Sequence, residues 1–153
     1  MRRLAVWIAT GFGIGYFPFA PATLASFAVA LILLPVAPAL DPWIVAGAAL
    51  AVAAIGVWSA GEAEKTLGTD AKPIVIDEVA GMLVGVCGVP MGSSPLLVLA
   101  LLFVLFRVFD IAKPFGIRKS QSLPGGWGVV TDDVLAGLAT NAVLRVLVGW
   151  LAP

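Results

Sequence analysis

At 153 residues the chain has room for one domain, and 61% of it is hydrophobic while only 12% is charged, about half the charged share of an ordinary soluble protein. A mean hydropathy of +1.07 excludes a water-soluble globule, because so few charges cannot coat its surface. A formal net charge of zero argues against nucleic acid or another polyanion as partner. The chain contains no histidine, so no imidazole can act as base, nucleophile or metal ligand, and its one cysteine, Cys87, allows no internal disulfide.

Residues 4–40, 42–61 and 79–106 carry no Asp, Glu, Lys or Arg, and a membrane span needs about 20 mostly apolar residues. The expectation is an all-α, polytopic membrane bundle, one domain over 1–153, with four or five embedded helices. Arg2 and Arg3 before apolar sequence look like a signal peptide, but Pro18 and Pro21 interrupt the run and further spans follow, which argues against cleavage. Residues 4–17, rich in Gly11, Gly13 and Gly15, make a weak span that either crosses the bilayer or lies along it. Gly15 to Pro21 reads as a bent loop, since proline disfavours helix in the residue before it.

Thr23 to about Leu40 reads as the first firm helix, Asp41-Pro42 as a short turn, Trp43 as an interface anchor, and Ile44 to Ala60 as the return across the bilayer. A first polar loop follows over 61–78, with Glu62, Glu64 and Asp70 assigned, like Asp41, to solvated loops. The apolar stretch 79–106 is broken by Pro90-Met-Gly-Ser-Ser-Pro95, a turn signal. It is therefore expected to form a hairpin with arms near 79–89 and 96–109, each roughly 16–21 Å long at the helical rise. Cys87 lies within it as a small core residue. A second polar loop spans Lys113 to Thr131, and Thr131 is the expected N-cap of a last helix from Asp132 to about Leu151.

With the hairpin, eight of the nine basic residues fall on one side, all but Arg145, which marks that side as cytoplasmic. A single span over 79–106 would separate the two loops and largely erase that bias. The hairpin also brings Asp77-Glu78 back to Arg107 and Asp110. Spacings of three place Arg107, Asp110 and Lys113 along one side of a helix end. Asp133, Gly137, Asn141 and Arg145 form a polar stripe down the last helix, and Gly81 and Gly85 permit close approach of another backbone.

Carboxylates beside membrane-length segments are costly unless paired, hydrated or metal-bound. Asp77, Glu78, Asp110, Asp132 and Asp133 are accordingly the candidate ligands of a divalent cation, with oxygen donors of the kind Mg²⁺ prefers. Asp77, Glu78, Asp110 and Asp133 are the candidate catalytic residues, while Lys72, Arg107 and Lys113 would bind phosphate. Together they suit metal-assisted attack of water on a lipid phosphate. Single acids also serve as helix caps and Arg107–Asp110 as an ordinary ion pair; it is the set that points to chemistry. A Cys-x5-Arg motif and an Asp-x-Asp nucleophile are both absent. Two alternatives stay open: a phosphatase of another lipid phosphate such as phosphatidic acid, and a non-enzymatic cation-binding membrane protein.

Four blocks resemble the bacterial phosphatidylglycerophosphatase A family: Gly13-Ile-Gly-Tyr-Phe-Pro-Phe-Ala-Pro-Ala-Thr-Leu-Ala-Ser26, Lys72-Pro-Ile-Val-Ile-Asp-Glu-Val-Ala-Gly81, Phe106-Arg-Val-Phe-Asp-Ile-Ala-Lys-Pro114, and Leu123-Pro-Gly-Gly-Trp-Gly-Val-Val-Thr-Asp-Asp-Val-Leu-Ala-Gly137. The resemblance implies helices around a central helix and a Mg²⁺-dependent enzyme of the inner membrane, and the bias in basic residues turns the acidic side to the cytoplasm. Its implied reaction converts phosphatidylglycerophosphate to phosphatidylglycerol, and Thr23 and Ser26 of the first block are further candidates for substrate binding. Ala22 and Ala25 stand where that block usually has glycine; a Cβ at position 22 would restrict close approach of phosphate unless the residue is in ordinary helical geometry.

Overall fold

The computed structural model describes residues 1–36, 39, 41–114 and 116–151, and the described residues are helical, without strands. Six α-helices run in chain order: α1 (Arg2–Ala9), α2 (Pro21–Leu33), α3 (Pro42–Leu67), α4 (Ile76–Val86), α5 (Pro95–Ala112) and α6 (Gly126–Leu151), with 3₁₀ turns at Ile14–Tyr16 and Ile117–Ser122. Of these, α3, α5 and α6 are long and apolar enough to cross a membrane, and only about a third or less of each is buried within the protein. Their outward faces carry Leu50, Ile55, Val104, Val108, Leu138 and Val146. Such a surface needs lipid as its solvent.

Proline and its neighbours set most boundaries. Pro21, Pro42 and Pro95 each occupy the first helical position, where the missing N–H costs nothing. Asp41 is the N-cap of α3, its Oδ1 accepting from Trp43 N at 2.7 Å. It is thus a helix cap, not merely a turn residue. The helix expected over Thr23–Leu40 starts at Pro21 and stops at Leu33, because Pro35 cannot extend the hydrogen-bond ladder; Ala37, Pro38 and Leu40 lie outside the described residues. Residues 4–17 do not form one helix: α1 ends at Ala9, and its eight residues cover about 12 Å, far short of a bilayer. Its inner face, Ala5 and Ala9, is fully buried, and α1 packs on α3.

Two expected loops are shorter than the charges implied. α3 continues through Glu62, Glu64 and Lys65 to Leu67, its last turns supported by the Lys65–Glu62 pair and by Arg2, 3.9 Å from Glu62. α6 begins at Gly126, not at Asp132, so Thr131 is no cap and both aspartates sit in the second turn. Gly126 lies so close to the Val57 carbonyl of α3 that a Cβ would overlap it. That packing draws the start of α6 against α3, and Gly125 makes the turn before it at φ 55°.

The hairpin is present. Residues 87–94 connect α4 to α5, close to the expected arms of 79–89 and 96–109. Among the described elements α4 packs against α2, α3, α5 and α6. Its approach to α6 is closest where Gly81 meets the Asp133 carbonyl and Gly137 meets the Gly81 carbonyl, with no side chain to separate the two backbones. Met82, Val86, Leu99, Leu102, Phe106 and Leu144 fill the core around this contact.

Candidate active site

Four helix ends meet at one side of the bundle: the start of α4, the end of α5, the start of α6 and, beyond them, the start of α2. Each brings its charge for a local reason. Asp77 and Glu78 occupy the first turn of α4, where the helix dipole favours an anion. Asp110 and Lys113 follow Arg107 at three-residue intervals, placing all three along one face of α5 as it ends. Lys113 itself is the C-cap, at φ 44°.

The charges form one connected network. Arg107 Nη1 donates to Glu78 Oε2 at 2.6 Å and lies 3.1 Å from Asp110 Oδ2. Lys113 Nζ lies 3.4 Å from Asp110 Oδ1 and is hydrogen-bonded to Asp132. Ser26 Oγ contacts Glu78 Oε2 at 3.0 Å and the Ala22 carbonyl at 2.9 Å. Burial alone would draw the Lys113 ammonium down, but the hydrogen bond and charge of Asp132, with Asp110 and Asp133 behind, outweigh it and hold the pKa above the usual lysine value.

This network borders a cavity of about 250 Å³ lined by Asp77, Glu78, Asp110, Asp132 and Asp133 together with Lys72 and Lys113. The acids are deeply placed: Asp132 and Asp133 are 3% exposed, Glu78 5% and Asp110 9%. One carboxylate oxygen from each of Asp110, Asp132 and Asp133 lies within 4.8 Å of the others, a spacing that suits a single cation. Asp77 Oδ1, Asp132 Oδ1 and Asp133 Oδ2 are buried with no hydrogen-bond partner. Orphaned carboxylate oxygens of this kind are expensive, and a divalent cation with hard oxygen preference is the ligand that would satisfy them. The donor set therefore fits a divalent cation.

All five expected acids thus converge on one cavity, with Lys72 exposed at its lip and Lys113 inside. Arg107 is tied to two carboxylates and does not line the cavity. Ser26 is fully buried behind Glu78, and Thr23 does not line the cavity either. Ala22 does, from within the helical first turn of α2, so the methyl group at this position sits in ordinary helical geometry. Asp70, expected in a solvated loop, also lines the cavity. It adopts φ 48°, and its backbone N–H donates to Glu64 at 2.9 Å. The signal was its place in the Thr69-Asp-Ala-Lys72 turn immediately before a phosphate-binding candidate. Cys87 and Arg145 lie at the far end of α4 and α6, away from the acids.

A family model described as phosphatidylglycerophosphatase A matches residues 7–148. A Bacteroides thetaiotaomicron protein, provisionally named a phosphatidylinositol-3-phosphatase, is 37% identical over 94% of this chain and 92% of its own length. The phosphatidylglycerophosphatase A of Escherichia coli K12 is 31% identical over 90% of this chain and 79% of its own. That of Haemophilus influenzae is 37% identical over 54% of this chain and 50% of its own. No solved structure matches.

Proposed function

The chain belongs to the phosphatidylglycerophosphatase A family, and from that membership we propose that it removes the terminal phosphate of phosphatidylglycerophosphate, leaving phosphatidylglycerol and inorganic phosphate. It is a membrane protein and a hydrolase of a phosphate monoester, as the family is. The observation that carries the finer reading is the convergence of Asp110, Asp132 and Asp133, the last two each with an unpartnered buried oxygen, on a cavity that two lysines also line.

In this reading Asp110, Asp132 and Asp133 hold Mg²⁺. When bound, the ion supplies positive charge that polarises phosphoryl oxygens and acidifies water. Lys113 and Lys72 offset the remaining charge of the phosphate monoester, one within the cavity and one at its rim. Asp77 Oδ1, free of any donor, takes the proton of the attacking water. Water oxygen bonds to phosphorus as the bond to the lipid's ester oxygen breaks; that oxygen takes a proton from solvent water to leave as the alcohol of phosphatidylglycerol, and Asp77 returns the proton it took to solvent. Glu78, itself backed by Ser26, holds Arg107, whose guanidinium keeps Asp110 turned toward the aspartates of α6. The basic end of the bundle faces the cytoplasm of a bacterial inner membrane.

A second reading, hydrolysis of an inositol lipid monophosphate, draws on the name of the Bacteroides relative. Purified protein in detergent, given phosphatidylglycerophosphate, phosphatidylinositol 3-phosphate and phosphatidic acid with Mg²⁺ or with chelator, separates these. The expected result is phosphate release fastest from phosphatidylglycerophosphate and abolished by chelation. Preference for the inositol lipid would move the assignment to the second reading. No release from any of the three would reject the reading altogether.

A further inference from the structure

The unusual element is α4, because it carries two acids of the site yet stops inside the bundle. Its eleven residues cover about 16 Å, roughly half the hydrocarbon thickness. A helix ending at such depth leaves its last carbonyls without water. Here they are met by the α6 side chain two turns beyond Asp133. Asn141 Nδ2 donates to the carbonyls of Val84 at 3.3 Å, Gly85 at 3.0 Å and Cys87 at 2.9 Å. Arg145 Nη2 donates to the Cys87 carbonyl at 2.8 Å, and its Nε donates to Asn141 Oδ1 at 2.8 Å. That second bond turns the amide so that its NH₂ faces α4.

We propose that Asn141, oriented by Arg145, is a positioning residue that sets the axial register of α4 on α6, and with it the placement of Asp77 and Glu78 against Asp132 and Asp133. The argument is geometric. The Gly81–Gly137 contact brings the two backbones together, but smooth glycine surfaces resist sliding poorly. Hydrogen bonds to the carbonyls of Val84, Gly85 and Cys87 resist it, because a shift along the axis breaks them together. Asn141 and Asp133 share one face of one helix, eight residues apart, so the clamp and the site are rigidly connected through α6. The register reaches the metal ligands through Glu78, which holds Arg107, and Arg107, which holds Asp110, and displacement by about 1 Å is enough to cost two orders of magnitude.

This inference rests on the metal-assisted reading of the site, and the test keeps the two apart. Metal-stripped protein in detergent, without lipid, is titrated with Mg²⁺ while its unfolding temperature is followed; steady-state rates are then measured with lipid. Asn141→Leu keeps the side-chain volume and removes both donors. Its half-point for Mg²⁺ stabilisation is expected to rise about tenfold, with the lipid KM changed less than about twofold. A residue that merely supports the fold would lower the metal-free unfolding temperature and leave the half-point in place, and that result overturns the proposal. Should N141L fail to fold, Arg145→Gln serves instead. It leaves Asn141 able to cap α4 but frees the amide to rotate, and an increase of about threefold in the half-point is expected; an unchanged value in folded R145Q is equally fatal. A wild-type protein that Mg²⁺ neither stabilises nor activates would instead sink the metal reading, and this inference with it.

Discussion

Gly81→Ala places one methyl group where the backbones of α4 and α6 approach closely beside the acidic site. Its Cβ would stand 2.7 Å from the Asp133 carbonyl oxygen and overlap the ring of Phe106. An ordinary carbon–oxygen contact needs about 3.4 Å, so α4 and α6 must part by about 0.7 Å at the level of Asp133. Phe106 is fully buried and cannot swing aside without displacing the core. Overpacking of this kind costs about 1–3 kcal/mol, and a misplacement approaching 1 Å between catalytic groups costs up to about 100-fold in rate. The expected outcome for G81A is a folded protein with a lowered unfolding temperature and phosphate release reduced about 10- to 100-fold. The control is Gly47→Ala in α3, where a Cβ meets nothing within 4 Å; it should leave the rate unchanged and slightly raise stability through helix propensity. The assay is Mg²⁺-dependent phosphate release from phosphatidylglycerophosphate, with unfolding followed in the same detergent. G81A with wild-type rate and stability would refute the claim that contact of the α4 and α6 backbones fixes the site.

Asp133→Asn removes a buried charge whose Oδ2 has no partner, so without metal the variant should unfold at a higher temperature than wild type. It should lose at least about tenfold in Mg²⁺ affinity and most of its activity, which a Mg²⁺ titration of both properties will reveal. Lys113→Met strips Asp132 and Asp110 of their shared cation and should destabilise the metal-free protein. The folded pKa of Lys113 is raised, so its stabilisation is fully present below the unfolded value, from neutral pH to about 10, and is lost only as pH rises through the folded value. The difference in unfolding temperature between wild type and K113M should therefore stay flat across that range and shrink above it. Asp41→Ala removes the cap of α3 at the end remote from the acids, so a small loss of stability with an unchanged rate is expected; a large fall in rate would tie that end to the site.

Most of the site was legible in the sequence because charge is so scarce. In a chain with long uncharged runs, every carboxylate at a run's end invites explanation, and Asp77, Glu78, Asp110, Asp132 and Asp133 all reach the cavity. The hairpin followed from counting lysines and arginines, and the stripe from Asp133 to Arg145 followed from helical spacing. What failed was the assumption that polar residues mean loop. Glu62 to Leu67 remain helical because helix ends at a membrane surface carry charge freely, and α6 starts six residues early because Gly126 packs on α3. Asp70 does lie in an exposed loop, as expected, but that loop borders the cavity.

Which oxygens face one another is a different kind of fact. Helical periodicity, proline positions and the distribution of charge act along the chain, so the all-helical membrane bundle and its acidic end follow from the residues read in order. The partition within that end does not. Arg107 takes up Glu78 while Asp132 and Asp133 keep oxygens free, Ser26 backs Glu78 instead of reaching the cavity, and one asparagine holds the end of a half-length helix. Each of these depends on how closely α4 approaches α2, α5 and α6, distances of tenths of an ångström set by packing among residues far apart in sequence.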